Sequence, residues 1–185
     1  MGTAFRFTFN VAGQQQLDRT LQIAVDRCDD LSPAFETIHS GAAWMHAKKV
    51  TRFTPFLKME RDQFRAEGAR GPFGRWADLR PKYKAIKDVL APGAPILVLT
   101  GRGRASLMNA GHSEHIKAIT KRQAAFGTSA PHMIFHQTGT EKMKMRRPID
   151  LTEKDRRDWV RVAHRFIVDS FDQAERARGG AMRDV

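Results

Sequence analysis

Cysteine is almost absent from this sequence: Cys28 is the only one among 185 residues, so no disulfide bond can form within the chain. Its place in an apolar stripe at helical spacing predicts a small core residue in a protein of a reducing compartment. Apolar runs are short as well, and none approaches the roughly 18 to 20 residues of a membrane span. The N-terminus lacks a basic segment followed by an apolar stretch. We therefore expect a soluble protein that starts in the cytoplasm and has no membrane partner.

Acidic residues are scarce relative to basic ones. Asp and Glu number 20 against 32 Lys and Arg, which gives a formal charge of +12 and a sequence pI near 10.5. Such a balance favours acidic partners, either nucleic acid or an acidic protein surface. The length and an apolar content of 41% predict one domain over residues 1–175, followed by a charged, glycine-containing flexible tail at 176–185.

The N-terminal part of the chain predicts one strand followed by three helices. Phe and Val alternate with polar residues over residues 4–11, the pattern of a half-buried edge strand. Apolar residues at three- and four-residue spacing then predict a helix that faces a core: Leu17, Leu21, Ala24, Cys28 and Leu31. Ser32 before Pro33 predicts the N-cap and first position of a second helix. Thr54 and Pro55 repeat that pattern and predict either a kink or a third helix that ends before Gly68.

The rest of the chain predicts a long loop, a hairpin and a final helix. Gly, Pro and Arg dominate residues 68–95, which we interpret as an extended basic surface loop anchored by Trp76, Leu79 and Tyr83. A short helix around residues 105–108 precedes two strands, residues 115–120 and 123–127. Thr152 and Asp155 have the spacing of a capping box before a helix whose face carries Trp159, Val162, Phe166 and Ser170. The fold class is therefore α+β: a small, mainly antiparallel sheet packed against a few helices, with long exposed loops.

Two motifs resemble chemical sites. His132 and His136, four residues apart, could share a metal on a helix, but the chain offers no third ligand at a recognised spacing. Gly101 and Gly103 before a short helix could face a phosphate, yet the Gly-Lys-Ser/Thr ending of a P-loop is missing. The alternative is that glycine permits a tight turn and leaves Leu107 to pack inward. We predict no metal, no cofactor and no catalytic residue.

Basic residues are concentrated between residues 70 and 104. Those that could face DNA are Arg70, Arg75, Arg80, Lys82, Lys84, Arg102 and Arg104. Aromatic residues lie between them and could stack on bases, but no known nucleic-acid-binding motif surrounds them. A solvated or partner-facing loop is the alternative to a non-specific nucleic-acid contact.

Four segments in this order resemble the phage virion morphogenesis family, the tail-completion proteins of Mu-like and related tailed bacteriophages. They are GRWADLRPKYK (residues 74–84), ILVLTGRGRASL (96–107), FGTSAPHMIFHQTGT (126–140) and MRRPIDLTEKD (145–155), within a match over residues 64–167. The resemblance implies a small structural protein that completes the tail or joins it to the head, without catalytic residues. It would act in the host cytoplasm during assembly and remain in the virion, in the tail or neck.

Such a connector must bind copies of itself and other tail and neck proteins, for which we expect a ring, hexameric by the common symmetry of phage necks. Apolar anchors with an arginine rim would supply the contacts: Trp76, Tyr83, Met143, Met145, Arg146 and Arg147. Core packing is the alternative for each of them, and it is the preferred one for Trp76. A basic nucleic-acid-binding module and a small metal-dependent hydrolase remain as alternative functions.

Overall fold

The computed structural model describes residues 14–41 and 53–181, and within them it contains seven α-helices and one two-stranded antiparallel sheet. In chain order these are α1 (Gln14–Asp29), α2 (Ser32–Ser40), α3 (Phe56–Arg65), α4 (Pro81–Leu90), α5 (Arg102–Met108), β1 (His115–Ile119), β2 (Ala124–Thr128), α6 (Pro131–Thr138) and α7 (Glu153–Ala181). The predicted α+β class is confirmed. The strand predicted at residues 4–11 lies outside the described residues.

The predicted hairpin is confirmed. β1 and β2 pair antiparallel, with His115 opposite Thr128 and Ile119 opposite Ala124. The Thr120 amide donates to the Gln123 carbonyl at 2.8 Å and closes the turn. Two strands cannot bury two faces on their own, so this sheet is stable only because helices α2 and α5 pack against it.

Proline marks the start of α2 as predicted, but the N-cap prediction is wrong. The cap residue is Leu31, and Ser32 is already helical. The Asp30 carboxylate accepts the Ser32 amide at 3.0 Å, so an acidic side chain two residues earlier satisfies the first orphan donor. In α3 the cap residue is Pro55 and not Thr54, so the N-cap prediction is wrong there too; the helix ends at Arg65, before Gly68 as predicted.

Helix α7 begins with the predicted capping box. The Thr152 amide donates to the Asp155 carboxylate at 3.0 Å, and the Asp155 amide donates to the Thr152 hydroxyl at 3.1 Å. Val162 and Phe166 are buried on its inner face. The helix continues to Ala181 and so includes the first six residues of the predicted tail, 176–185. Residues 182–185 lie outside the described part of the chain.

Helix α1 packs on α7, and part of the apolar face predicted for α1 is exposed. Leu21 and Cys28 are exposed, and Cys28 is therefore not a core residue. Arg27 contributes to the contact: its guanidinium lies 5.2 Å from the Phe166 ring centroid and donates to the Phe166 carbonyl at 2.8 Å. The long stem of an arginine can cover apolar surface, which the apolar periodicity of α1 did not reveal.

The main core joins α3, α5 and α6 with the segments between them. Phe56, Met59 and Phe64 from α3 meet Leu107 from α5 and Met133 from α6. Leu107 packs inward, as the turn interpretation of Gly101 and Gly103 predicted. A Cβ on Gly103 would come within 2.4 Å of the Met133 sulfur, so glycine is needed there for α5 and α6 to approach.

The loop predicted at residues 68–95 is wrong in part, because α4 occupies its centre. Pro81 stands at the start of this helix, where the missing amide costs nothing. The Lys87 ammonium donates to the Ala94 carbonyl and, at 2.9 Å, to the Pro95 carbonyl, which fixes the chain as it leaves the helix. Proline and glycine here delimit a helix rather than prevent one.

Candidate docking groove

The four segments that carry the family resemblance meet in space through polar contacts. The Trp76 indole donates to the Arg147 carbonyl at 2.9 Å, which joins the first segment to the fourth. The Gln137 side chain donates to the Ile149 carbonyl at 2.8 Å and accepts the Ile149 amide at 3.2 Å, which joins the third to the fourth. The second and third segments meet where the hydroxyls of Ser106 and Thr128 lie 2.7 Å apart.

A groove of about 840 Å³ lies where these segments converge. Each of the four contributes at least one lining residue. The lining consists of residues 78–81, 83 and 87, residues 97–103, His132 and His136, and residues 142–144 and 146. Its size is that of a ligand pocket or of a cleft for part of a peptide.

Arg146 fixes one side of the groove. It is buried, and its guanidinium donates to the Ala77 carbonyl at 2.6 Å and to the Asp78 carbonyl at 3.0 Å. Its amide donates to the His136 carbonyl at 2.9 Å. Burial lowers the pKa of Arg146, while Asp78 and Tyr83 oppose that shift. Arg146 was predicted to lie at the rim of an interface. Its hydrogen bonds link the chain before α4 to the chain after α6.

The predicted anchor Trp76 lies in the core. Only 5% of its surface is exposed, and its ring packs edge-on against Phe64 with centroids 5.3 Å apart. Gly68, at φ 89°, passes so close that a Cβ there would lie 2.4 Å from the indole. Trp76 therefore has no surface to offer a partner, and the preferred core interpretation is confirmed.

The other predicted anchors are more accessible. Tyr83 and Met143 line the groove, and Tyr83 is exposed on α4. Met145 is exposed beside the groove without lining it. Arg147 is half-buried, and its guanidinium lies 3.8 Å from the centroid of the Phe73 ring. It therefore makes a cation–π contact within the chain.

Helix α4 leaves its apolar side chains in solvent. Every residue of the helix except Lys87 is exposed, and the exposed fractions of Tyr83, Ile86, Val89 and Leu90 range from 46% to 81%. The sequence interpretation missed this surface because it treated the segment as a loop. A contiguous exposed apolar face is typical of a protein–protein contact site.

The segment from Leu97 to Gly101 forms a tight turn that lines the groove and precedes α5. Leu97 has φ 64°, a left-handed conformation that costs a leucine about 1 to 3 kcal/mol, and Gly101 follows at φ 80°. The Val98 amide donates to the Pro95 carbonyl at 3.1 Å. Leu97, Val98 and Leu99 thereby line the groove in succession, which no periodic pattern in the sequence indicated.

The seven residues predicted to face DNA differ in burial and in their ion pairs. Arg70 is mostly buried and pairs with Asp155 at 2.5 Å. Arg75 pairs with Glu67 at 2.9 Å, and Arg102 pairs with Glu114. The other four, Arg80, Lys82, Lys84 and Arg104, are exposed and form no ion pair with another described residue. Only Arg80 and Arg102 line the groove.

His132 and His136 lie together on α6, with ring centroids 6.4 Å apart and the rings nearly perpendicular. Burial lowers the pKa of His136, and the charges of His132 and Arg146 lower it further. Neighbouring cations disfavour a bound metal ion as they disfavour a proton. Among residues 14–41 and 53–181, no group of three or more His, Cys, Asp or Glu side chains could hold a metal.

No protein-family model matches the chain, and no curated protein or solved structure matches it. No helix in the described part of the chain is long and apolar enough to cross a membrane.

Proposed function

We propose that the chain is a structural phage protein that acts in tail completion and head-to-tail joining, as a homo-oligomeric ring with six copies as the expected number. It would assemble in the host cytoplasm and remain in the tail or neck of the virion. One observation carries the proposal: the four segments that resemble the tail-completion family converge on a single groove. A shared sequence pattern dispersed over the fold would not support a common site.

The chemistry of the groove supports binding rather than turnover. Its lining combines apolar side chains from residues 97–99 with cations. Two of these cations, Lys87 and Arg146, donate hydrogen bonds to backbone carbonyls. Such groups fix the shape of a surface, and exposed cations around an apolar centre resemble the anatomy of a protein interface. The exposed apolar face of α4, which begins at the groove, extends the surface available to neighbouring proteins.

The test is a phage whose gene for this chain is deleted. Without the protein, lysates should contain heads and tails that are unjoined or tails that are unstable in electron micrographs. Supplying the wild-type chain in trans should restore joined particles, and the purified chain should be visible as rings on tail ends. Complete and infectious particles in the absence of the chain would end the proposal.

A second candidate, a basic module that binds nucleic acid without sequence preference, is favoured by the exposed Arg80, Lys82 and Lys84 at the start of α4. It predicts affinity for short duplex DNA that falls steeply with salt, because each neutralised phosphate releases counterions. Arg70, Arg75 and Arg102, which already have acidic partners, would contribute little. A duplex that fails to bind at low salt removes this candidate.

A further inference from the structure

We propose that the groove binds a segment of a different, acidic protein, in which a large apolar side chain is flanked by Asp or Glu. The proposal rests on the assembly function above and specifies the partner that such a function requires. Three observations lead to this proposal: the charge of the groove, its apolar lining and the composition of the rest of the chain.

The lining carries a large excess of positive charge. Asp78 is its single acidic residue, against six basic ones: Arg80, Lys87, Arg102, Lys142, Lys144 and Arg146. Arg102 is neutralised by Glu114. Lys87 and Arg146 donate to carbonyls, which hold the side chains in place without cancelling their charge. Cations collected in a concave, partly apolar site concentrate a positive potential and attract anionic groups.

Apolar side chains occupy the same site. Leu79, Leu97, Val98, Leu99 and Met143 all line the groove, and Leu99 is 42% exposed. A phosphate backbone would satisfy the cations but leave these side chains in contact with water. Tyr83 is the only lining residue other than the histidines whose ring could stack on a base. A peptide with both apolar and acidic side chains satisfies both sets of groups, so we favour it over nucleic acid.

None of the stretches outside the described residues carries an excess of acidic side chains. Residues 1–13 contain Arg6 and no acidic residue, and residues 42–52 contain His46, Lys48, Lys49 and Arg52 and no acidic residue. In residues 182–185, the one acidic side chain, Asp184, is balanced by its neighbour Arg183. A second copy has the same formal charge of +12 and would bring like charge to the groove. Charge complementarity therefore points to a partner with a different, acidic sequence.

The experiment is an affinity selection on the immobilised full-length chain. The probe is a pool of peptides of about 10 residues, which span about 30 Å when extended, with Asp, Glu, Leu, Phe, Ser or Gly at each position. Selected peptides are then measured by fluorescence anisotropy against two groove variants, Lys142→Glu/Lys144→Glu and Leu99→Ser. The matched controls are Arg61→Glu/Lys121→Glu, which changes the formal charge equally, and Ile116→Ser, at a residue 38% exposed on β1. None of the three control positions lines the groove.

The selection should return peptides that contain both acidic and large apolar residues. Each groove variant should lower their affinity about tenfold or more, and the controls should change it less than about twofold. The proposal is overturned if no peptide is retained, if groove and control variants behave alike, or if replacing Leu and Phe by Ser leaves binding intact. It is also overturned if a short DNA duplex binds the wild-type groove more tightly than the selected peptides. Peptide binding needs no phage, so this result and the gene-deletion result can fail independently.

Discussion

Two histidines that face each other in the interior fix each other's tautomer. The Nε2 atoms of His39 and His115 lie 2.8 Å apart, and His115 Nδ1 lies 2.8 Å from the Ser106 carbonyl. A carbonyl only accepts, so His115 carries its proton on Nδ1 and must accept from His39 Nε2. Burial lowers the pKa of His39 to about 4, and the proximity of His115 and Lys117 lowers it further.

This pair should make the protein less stable in acid. The unfolded chain binds a proton at His39 near pH 6.5 and the folded chain only near pH 4, so stability falls as pH decreases through that window. The full loss is on the order of 3 kcal/mol. His39→Gln, whose amide can still donate to His115, should flatten the dependence in urea unfolding measured from pH 4 to 7. His164→Gln, at an exposed position on α7, is the control, and equal slopes in both variants would contradict the assignment.

Glu60 should make the stability of the protein depend on pH in the opposite direction. It is fully buried, and neither carboxylate oxygen has a hydrogen-bond partner among the described residues. Burial raises the pKa of Glu60 well above its usual value, Arg70 opposes that shift, and Asp150 adds to it. The folded state therefore holds a proton that the unfolded state releases, and this contribution to stability is lost as pH rises above about 4.5.

Glu60→Gln should therefore stabilise the protein at pH 8 by about 1 to 3 kcal/mol and have a smaller effect at pH 5, because a neutral amide replaces a buried acid. Urea unfolding at the two pH values measures this difference. Glu153→Gln, at the exposed first residue of α7, is the matched control. A variant that is equally destabilised at both pH values would mean that the carboxyl group makes a contact that glutamine cannot replace.

Among the elements, the start of α7 connects local and tertiary structure. Asp155 closes the capping box with Thr152 and also receives Arg70 from the segment after α3. Burial alone would raise the pKa of Asp155, but the hydrogen bonds from Arg70 and Thr152 hold it below its usual value. One carboxylate thus fixes both the first turn of the longest helix and the chain that leads to the groove.

Thr152→Ala should lower the free energy of unfolding by about 1 kcal/mol, the usual contribution of an N-cap hydroxyl. Thr152→Ser keeps the hydroxyl and should recover most of that loss. Thermal and urea unfolding of the two variants measure the effect. A serine variant as unstable as the alanine variant would show that the threonine methyl group, and not the cap, stabilises this site.

Elements with local signals could be predicted from the sequence, and the groove could not. The capping box of α7, the basic turn of the hairpin and the proline before α3 depend on residues a few positions apart. Helix α4 was missed because the Gly, Pro and Arg residues around it predicted a loop, although Tyr83, Ile86 and Leu90 have helical spacing. The groove depends on hydrogen bonds from Trp76 and Arg146 to backbone carbonyls. Every residue type has a backbone carbonyl, so the sequence does not show which residue will accept. Lys142 and Lys144 join the site only through that long-range contact.

At the scale of the whole molecule, a large positive charge coexists with an exposed apolar helix. Like charges keep copies apart at low ionic strength, which opposes association through the apolar face of α4. Added salt shortens the screening length from about 10 Å at 0.1 M to about 3 Å at 1 M. The formal charge of +12 should therefore act as a barrier to self-association that salt removes.

We accordingly predict that the purified chain is monomeric at low salt and associates as salt increases, as measured by sedimentation velocity. Val89→Glu should abolish the association without changing the melting temperature, because Val89 is exposed and supports no core contact. Val160→Glu is the matched control: Val160 is 69% exposed on α7 and lies away from the groove and α4 in sequence. Association that persists in Val89→Glu, or that weakens with salt, would mean that contacts between copies are electrostatic and lie elsewhere. In that case the apolar face of α4 would be left for a different protein.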